Sequence, residues 1–216
     1  MLHRLLQRIC PYLKLPHDTH HKMRIIVARY NESMDWTSGI VNCIIYNKGP
    51  AVTCTHPVID LPNVGREGHT YLHHIIENYD QLDDYTMFLQ GFPFDHTPFL
   101  ENIITSEEWR HPFHIISRDV RYANITGDPT CDNIQPVDLA YHFNRMFNRK
   151  KTDHPYYFGG GAQFCVSRET IRSRPKEFYE RLREMLGYDV CPIEGYVLER
   201  FWPMVFLGES LEERAL

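Results

Sequence analysis

Residues 63–96, NVGREGHTYLHHIIENYDQLDDYTMFLQGFPFDH, read as loop, helix, turn, strand and loop. That succession decides the fold. Asn63, Gly65 and Gly68 loosen the entry. Tyr71, Leu72, Ile75, Ile76 and Tyr79 then recur at helical spacing and give one apolar face. Tyr79 to Asp84 carries turn formers, and Tyr85 to Leu89 is a short apolar run, the pattern of a buried strand. Gln90, Gly91, Pro93, Asp95 and His96 follow it. A polar loop after the C-terminal end of a buried strand is where open α/β sheets hold ligands.

Outward from this stretch, apolar strands alternate with amphipathic helices. Met23 to Arg29 and Val41 to Tyr46 read as two strands before it, the first ending in Tyr30-Asn31-Glu32. Asn47-Lys48-Gly49-Pro50 is a loop with strong turn signals, and residues 51–62, with Pro57 and Pro62, look irregular. Beyond it, Thr105 to Trp109 offers a Ser106 cap and acidic residues, the signature of a helix start. Phe113 to Ser117 is a possible strand, and residues 119–135 are polar, the composition of a long functional loop or lid. Val137 to Phe147 reads as helix. Tyr156 to Ser167 holds Gly159, Gly160 and Gly161 between two apolar runs, a place where backbone can approach a ligand closely. Ser167 caps a turn, Ser173 and Pro175 open a helix closed by Gly187, and Glu194 opens a last helix in which Pro203 is expected to make a kink or break. The pattern predicts one α/β domain over 23–216 with a mostly parallel central sheet flanked by helices, preceded by an arm over 1–22. Strands are expected near 23–29, 41–46, 85–90 and 162–167.

Composition agrees with one folded unit. The 216 residues are 43% hydrophobic and 24% charged, ordinary for a soluble globular chain. Net charge is −5 with no basic block, which argues against a nucleic-acid partner. The six cysteines form no CxxC pair, and Cys43 and Cys165 fall inside expected strands. That usage suits a reducing, cytoplasmic compartment and no zinc site. His69 and His73 share a helix face, but Thr70 stands where a zinc helix needs glutamate. No apolar run is long enough for a transmembrane helix. In the arm, Leu2, Leu5, Leu6 and Ile9 fit one short amphipathic helix suited to packing or partner contact, and no signal-peptide pattern is evident.

Several residues carry a resemblance. The Gly65-Arg66-Glu67 helix entry, the Asn78-Tyr79-Asp80 turn and the strand ending in a polar loop resemble the family called domain of unknown function 3431 over roughly residues 23–207. The Asn63-x-Gly65-Arg66 entry is similar, more distantly, to that of rhamnan-synthesis glycosyltransferases. The resemblance implies a GT-A-like domain that moves a sugar from a nucleotide-diphosphate donor, a UDP-sugar being favoured, to a glycan, glycoprotein or other hydroxyl acceptor. It implies donor contacts at Tyr30, Asn31 and Glu32, and an acceptor-side role for Gly159, Gly160 and Gly161. Asp95, with His96, sits where GT-A enzymes place an acidic metal motif for manganese or magnesium, but no Asp-x-Asp follows the strand. Arg66 and Lys48 suit a diphosphate, helped by the free N–H groups expected at the helix start. Glu67 and Gln90 suit the donor side. Glu194 or Asp153 is expected as acceptor base. Two other readings fit the same residues: a metal-dependent hydrolase of sugar nucleotides using Asp95, His96 and His154, and a non-catalytic carbohydrate- or nucleotide-binding module.

Overall fold

The period-two alternation of the strands sorts their side chains onto two faces of one sheet. In a computed structural model, which describes residues 22–126, 137–149 and 153–208, β1 (Met23–Arg29) sends Ile26 to one buried cluster and Ile25 and Val27 to another. β2 (Cys43–Asn47), β4 (Tyr85–Gln90) and β8 (Phe164–Ser167) divide in the same way, with Tyr46, Phe88 and Phe164 on the first face and Ile45, Met87 and Cys165 on the second. Two clusters back to back across one sheet make a single layered unit.

With β3 (Val58–Asp60) and β5 (Phe113–Ile115), the six-stranded sheet has the order β3-β2-β1-β4-β8-β5. β1 pairs in parallel with β2 (Ile25 opposite Cys43) and with β4 (Ile25 opposite Met87). β3 extends the parallel half beside β2. β8 runs antiparallel to β4, and β5 antiparallel to β8. The sheet is therefore mixed, with three parallel pairings and two antiparallel ones. A parallel neighbour needs a long crossover. β8 instead follows β7 (Pro155–Gly159) through the three-residue 3-10 turn Gly160–Ala162 and enters beside the exit of β4, running backwards.

Other boundaries also moved. The segment read as irregular contains β3. Val120–Asn124, read as loop, is β6, and it pairs antiparallel with β7 in a separate two-stranded ribbon. The rest of the expected lid, from residue 127 onward, and the Leu2–Ile9 helix lie outside the described residues. The expected helix start at Ser106 is a helix end: α2 (Leu100–Ser106) stops there, with Glu107 in the left-handed region at φ 60°.

Helix α1 (Arg66–Glu77) buries Tyr71, Leu72, Ile75 and Ile76 as its spacing predicts. Helices α3 (Leu139–Phe147), α4 (Arg168–Arg172) and α5 (Lys176–Glu184) follow, with Asp138 capping α3 and Ser167 capping α4. The last helix, α6 (Ile193–Leu207), continues through Pro203. Tyr71 of α1 lies 4.8 Å, centroid to centroid, from Phe88 of β4, and Trp202 of α6 lies 5.0 Å from Phe164 of β8. Aromatic pairs of this kind contribute about 0.5–1.5 kcal/mol each beyond the area they bury. They pin α1 and α6 to the same face and bring the α6 N-terminus against Arg66: a Cβ at Gly195 would lie 3.5 Å from Arg66 Cδ. No helix among the described residues is long and apolar enough to cross a membrane.

Candidate functional site

In the strand order, β2 and β3 lie on one side of β1 and β4 on the other. The chain leaving β1 and the chain leaving β4 therefore diverge, and a crevice opens at the C-terminal ends of the strands. A cleft of about 340 Å³ lies there. It is lined from β1 by Tyr30 and Glu32, from β2 by Lys48, from α1 by Arg66 and Glu67, and from the β4 exit by Gln90, Gly91, Phe92 and Asp95.

Its rim is built by close backbone packing. Arg29, 6% exposed at the end of β1, donates to the Asn47 side chain (2.5 Å) and to the backbone oxygens of Pro50 (2.7 Å), Tyr30 (3.0 Å) and Glu32 (2.8 Å). It ties the β1 exit to the β2 exit. A Cβ at Gly49 would sit 1.8 Å from the Tyr30 carbonyl oxygen, so only glycine allows this approach. Glu32 Oε2 accepts from the N–H groups of Tyr30 (2.7 Å) and Asn31 (3.0 Å) and lies against Gly91, where a Cβ would come within 2.4 Å of that oxygen.

The entrance to α1 is held from two sides. Gly65 and Arg66 both adopt left-handed φ values, 65° and 49°, an unfavourable state for a residue with a side chain. Lys48 Nζ donates to the carbonyl oxygens of Val64 and Arg66, each at 2.5 Å. From the other side, the carbonyls of Asp189 and Val190 accept from the N–H groups of Gly65 (2.8 Å) and Arg66 (3.2 Å). Of the N–H groups expected to be free at the helix start, those of Gly65 and Arg66 are taken by protein, and the Arg66 and Lys48 side chains face the cleft. The 190–191 segment that satisfies the helix also supplies a wall of the cleft.

The electrostatics are mixed. Burial pushes the Lys48 ammonium down to about 8, with Glu67 pulling the other way. Burial also opposes the charge on Arg66, but Glu67, Tyr196, Cys191 and Glu199 outweigh it and raise its pKa. The Arg66 guanidinium stacks 4.5 Å from the Tyr196 ring, and its Nε lies 3.6 Å from a Glu67 oxygen. Burial raises the Glu67 carboxyl, with Arg66 opposing.

The other expected site residues fall elsewhere. Asn31 is exposed and does not line the cleft. His96 packs against the glycine turn: a Cβ at Gly161 would lie 2.3 Å from His96 Cδ2, one at Gly160 3.2 Å from Nδ1. A Cβ at Gly159 would meet Ile115 at 2.4 Å. These three glycines thus make room for protein neighbours. Asp153 is exposed and near Thr126 at the base of the ribbon (3.4 Å). Glu194 is buried with both carboxylate oxygens engaged, Oε1 by Arg145 (2.9 Å) and Oε2 by the Tyr188 hydroxyl (2.7 Å), and it does not line the cleft. His154 packs on Phe143. Among the described residues no three His, Cys, Asp or Glu side chains gather as a metal cluster. Asp95 makes no side-chain hydrogen bond or ion pair among the described residues, so one hard oxygen donor group remains for a divalent cation.

A larger cavity, about 640 Å³, lies beside the other sheet face, among Met23, Ile25, Trp36, Phe94 and Trp109. It is mostly apolar and brings together no comparable set of charged groups. The polar cleft at the strand ends is the better candidate.

The family model described as protein of unknown function (DUF3431) matches residues 25–214. The chain belongs to the DUF3431 family. The match takes in every strand of the sheet from Ile25 onward and every residue of the cleft. No curated protein matches the chain. Sequence reasoning missed Arg29, Tyr196 and the 189–191 wall. Arg29 alone carried a signal, as the charge that closes an apolar strand.

Proposed function

We propose that this DUF3431 protein is a GT-A-like glycosyltransferase that moves a sugar from a nucleotide-diphosphate donor, a UDP-sugar by preference, to a hydroxyl group of a glycan or glycoprotein acceptor. One observation carries the reading. Tyr30, Glu32, Lys48, Arg66, Glu67, Gln90 and Asp95, far apart in sequence, line a single cleft where the strand order reverses. Exposed aromatic rings at Tyr30 and Phe92 stand at its mouth and suit stacking on a base or a sugar. Lys48 and Arg66 suit the two phosphates, Arg66 as a planar fork and Lys48 as a point charge.

Asp95 would hold a divalent cation, manganese or magnesium, which when bound neutralises the charge that develops on the diphosphate leaving group. A cation held largely by phosphate oxygens needs only one or two protein oxygens. Arg66, fixed by the backbone clamp at 64–66, orients the diphosphate, and Gln90 offers an amide to the donor.

The test is incubation of the protein with a panel of UDP-sugars and simple glycoside acceptors, following release of UDP and the mass of the acceptor. An acceptor gaining one sugar residue, lost in Arg66→Ala, supports the reading. Binding of UDP-sugars with no transfer to any hydroxyl, water included, would reduce the protein to a binding module.

A further inference from the structure

We propose that residues 2–9 of this chain, as one short helix, seat their apolar face in the cavity of about 640 Å³ beside the second sheet face and complete the core there. This holds whether or not the protein transfers sugar. The two faces of the sheet are covered unequally. On the first, α1, α3, α4, α5 and α6 all contribute to the buried cluster. On the second, α2 is the only α-helix that does so among the described residues. Met23, Trp36, Ile40, Phe94 and Ile104 stay partly buried there, and Val41 is 79% exposed. All six line the cavity. A packed interior leaves few voids larger than a water molecule, so an apolar hollow of this size lacks a covering element.

The occupant is named by where the chain enters. Lys22, the first described residue, itself lines the cavity. Its N–H donates to the Asp84 carboxylate at 2.9 Å, which fixes the arm's point of departure at the seat. Before it, Leu2, Leu5, Leu6 and Ile9 recur at helical spacing, and Pro11 and Pro16 stop a helix and let the chain turn. Residues 10–21, which join Ile9 to Lys22, reach up to about 40 Å when extended. The helix itself runs only about 12 Å, so the tether is long enough to fold it back. A helix this short is marginal in water and needs a packed face to hold it.

Charge agrees with this occupant. Arg4, Arg8 and Lys14 against Asp18 give residues 1–21 a charge of +2 with His neutral, which leaves −7 on the rest of a chain whose total is −5. Glu101, exposed in the cavity lining, offers a carboxylate to Arg4 or Arg8. The seat also shares a wall with the polar cleft. Trp36 Nε1 donates to the carbonyl oxygen of Gly91 at 2.9 Å, and Phe94 meets Trp36 edge-on at 5.6 Å and Phe92 at 5.3 Å. Gly91 and Phe92 line the cleft.

The test uses the full chain. Cys10 stands four residues after Leu6, at the edge of the apolar face, and Thr105 lines the cavity. Under mild oxidation Cys10 should form a disulfide within one chain in Thr105→Cys, mapped by mass spectrometry, and none in Glu177→Cys, whose position is on α5 over the opposite face. Anilinonaphthalene sulfonate, a dye for exposed apolar surface, should gain fluorescence with Leu5→Asp combined with Leu6→Asp and stay dark with the wild type. Emission from Trp36 and Trp109 at the cavity should move to the red in the same variant. Disulfides that form only between chains would give the seat to a second copy and overturn the proposal. So would no disulfide in Thr105→Cys, an equal yield in Glu177→Cys, or dye bound as strongly by the wild type as by the variant.

Discussion

Gly161→Ala separates a structural from a ligand-binding role for the glycine turn. Two costs are expected. Gly161 has φ 78°, so an alanine there carries the left-handed penalty, about 1–2 kcal/mol. Its Cβ would also fall 2.3 Å from His96 Cδ2 and 2.7 Å from Cγ, a clash with a ring that is itself packed. Overpacking of this kind costs about 1–3 kcal/mol. The sum, roughly 3 kcal/mol, lowers Tm by about 6–12 °C for a chain of this size. A double-mutant cycle isolates the steric part. In a His96→Ala background the clash is gone, and Gly161→Ala should cost only the backbone share, about 1–2 kcal/mol. The assay is urea unfolding of the four proteins followed by tryptophan fluorescence. Equal costs in both backgrounds would refute the contact with His96. A negligible cost in the wild type would refute the packing account of the turn and return it to a role in ligand approach.

Acid should destabilise the fold through His74. Its ring is 3% exposed, shares a hydrogen bond between Nδ1 and the Tyr46 hydroxyl (3.0 Å), and is pushed down to about 3 by burial. The unfolded chain takes up this proton near pH 6.5 and the native chain does not, so the stability present above pH 6.5 is lost as pH falls toward 3. At pH 5 the loss is about 2 kcal/mol, read as a falling urea midpoint that should flatten in His74→Gln. Lys48, depressed to about 8, should gain a proton when a diphosphate binds. Calorimetry of UDP binding at pH 8.5 in buffers of different ionisation enthalpy should report proton uptake, absent in Lys48→Met. Glu194→Gln should weaken the Arg145 and Tyr188 contacts and cost about 1–3 kcal/mol in unfolding free energy, with UDP affinity intact.

The strands were legible as short apolar runs, and the main helix by the helical spacing of its apolar residues. β1, β2, β4, β8 and α1 bury the residues their spacing selects. β3 was illegible because all three of its residues are exposed, leaving no apolar pattern. The direction of β8 was illegible because it depends on how the chain enters the sheet, and the run Phe164 to Ser167 reads the same either way. Ser106, Glu107 and Glu108 misled because the same polar cluster suits either end of a helix, and the apolar Leu100, Ile103 and Ile104 before them decided which. In the cleft, the rule that ligand groups follow strand ends found Tyr30, Glu32, Lys48, Gln90 and Asp95, and the helix start found Arg66 and Glu67. Tyr196 comes from more than a hundred residues away and sits on a helix whose apolar load hides it. Glu194 looked catalytic from its place at a helix start. Arg145 and Tyr188, which claim its oxygens, come from other elements.

The central claim is that the cleft takes a nucleotide diphosphate on Arg66. Calorimetric titration of UDP with manganese present tests it most directly, in the wild type and in Arg66→Ala. Loss of a charge-assisted bond worth about 1.5–3 kcal/mol should weaken UDP roughly 10- to 100-fold. Saturable UDP binding that Arg66→Ala weakens in this range is the predicted result. No binding by the wild type, or equal affinity in the two proteins, would contradict it.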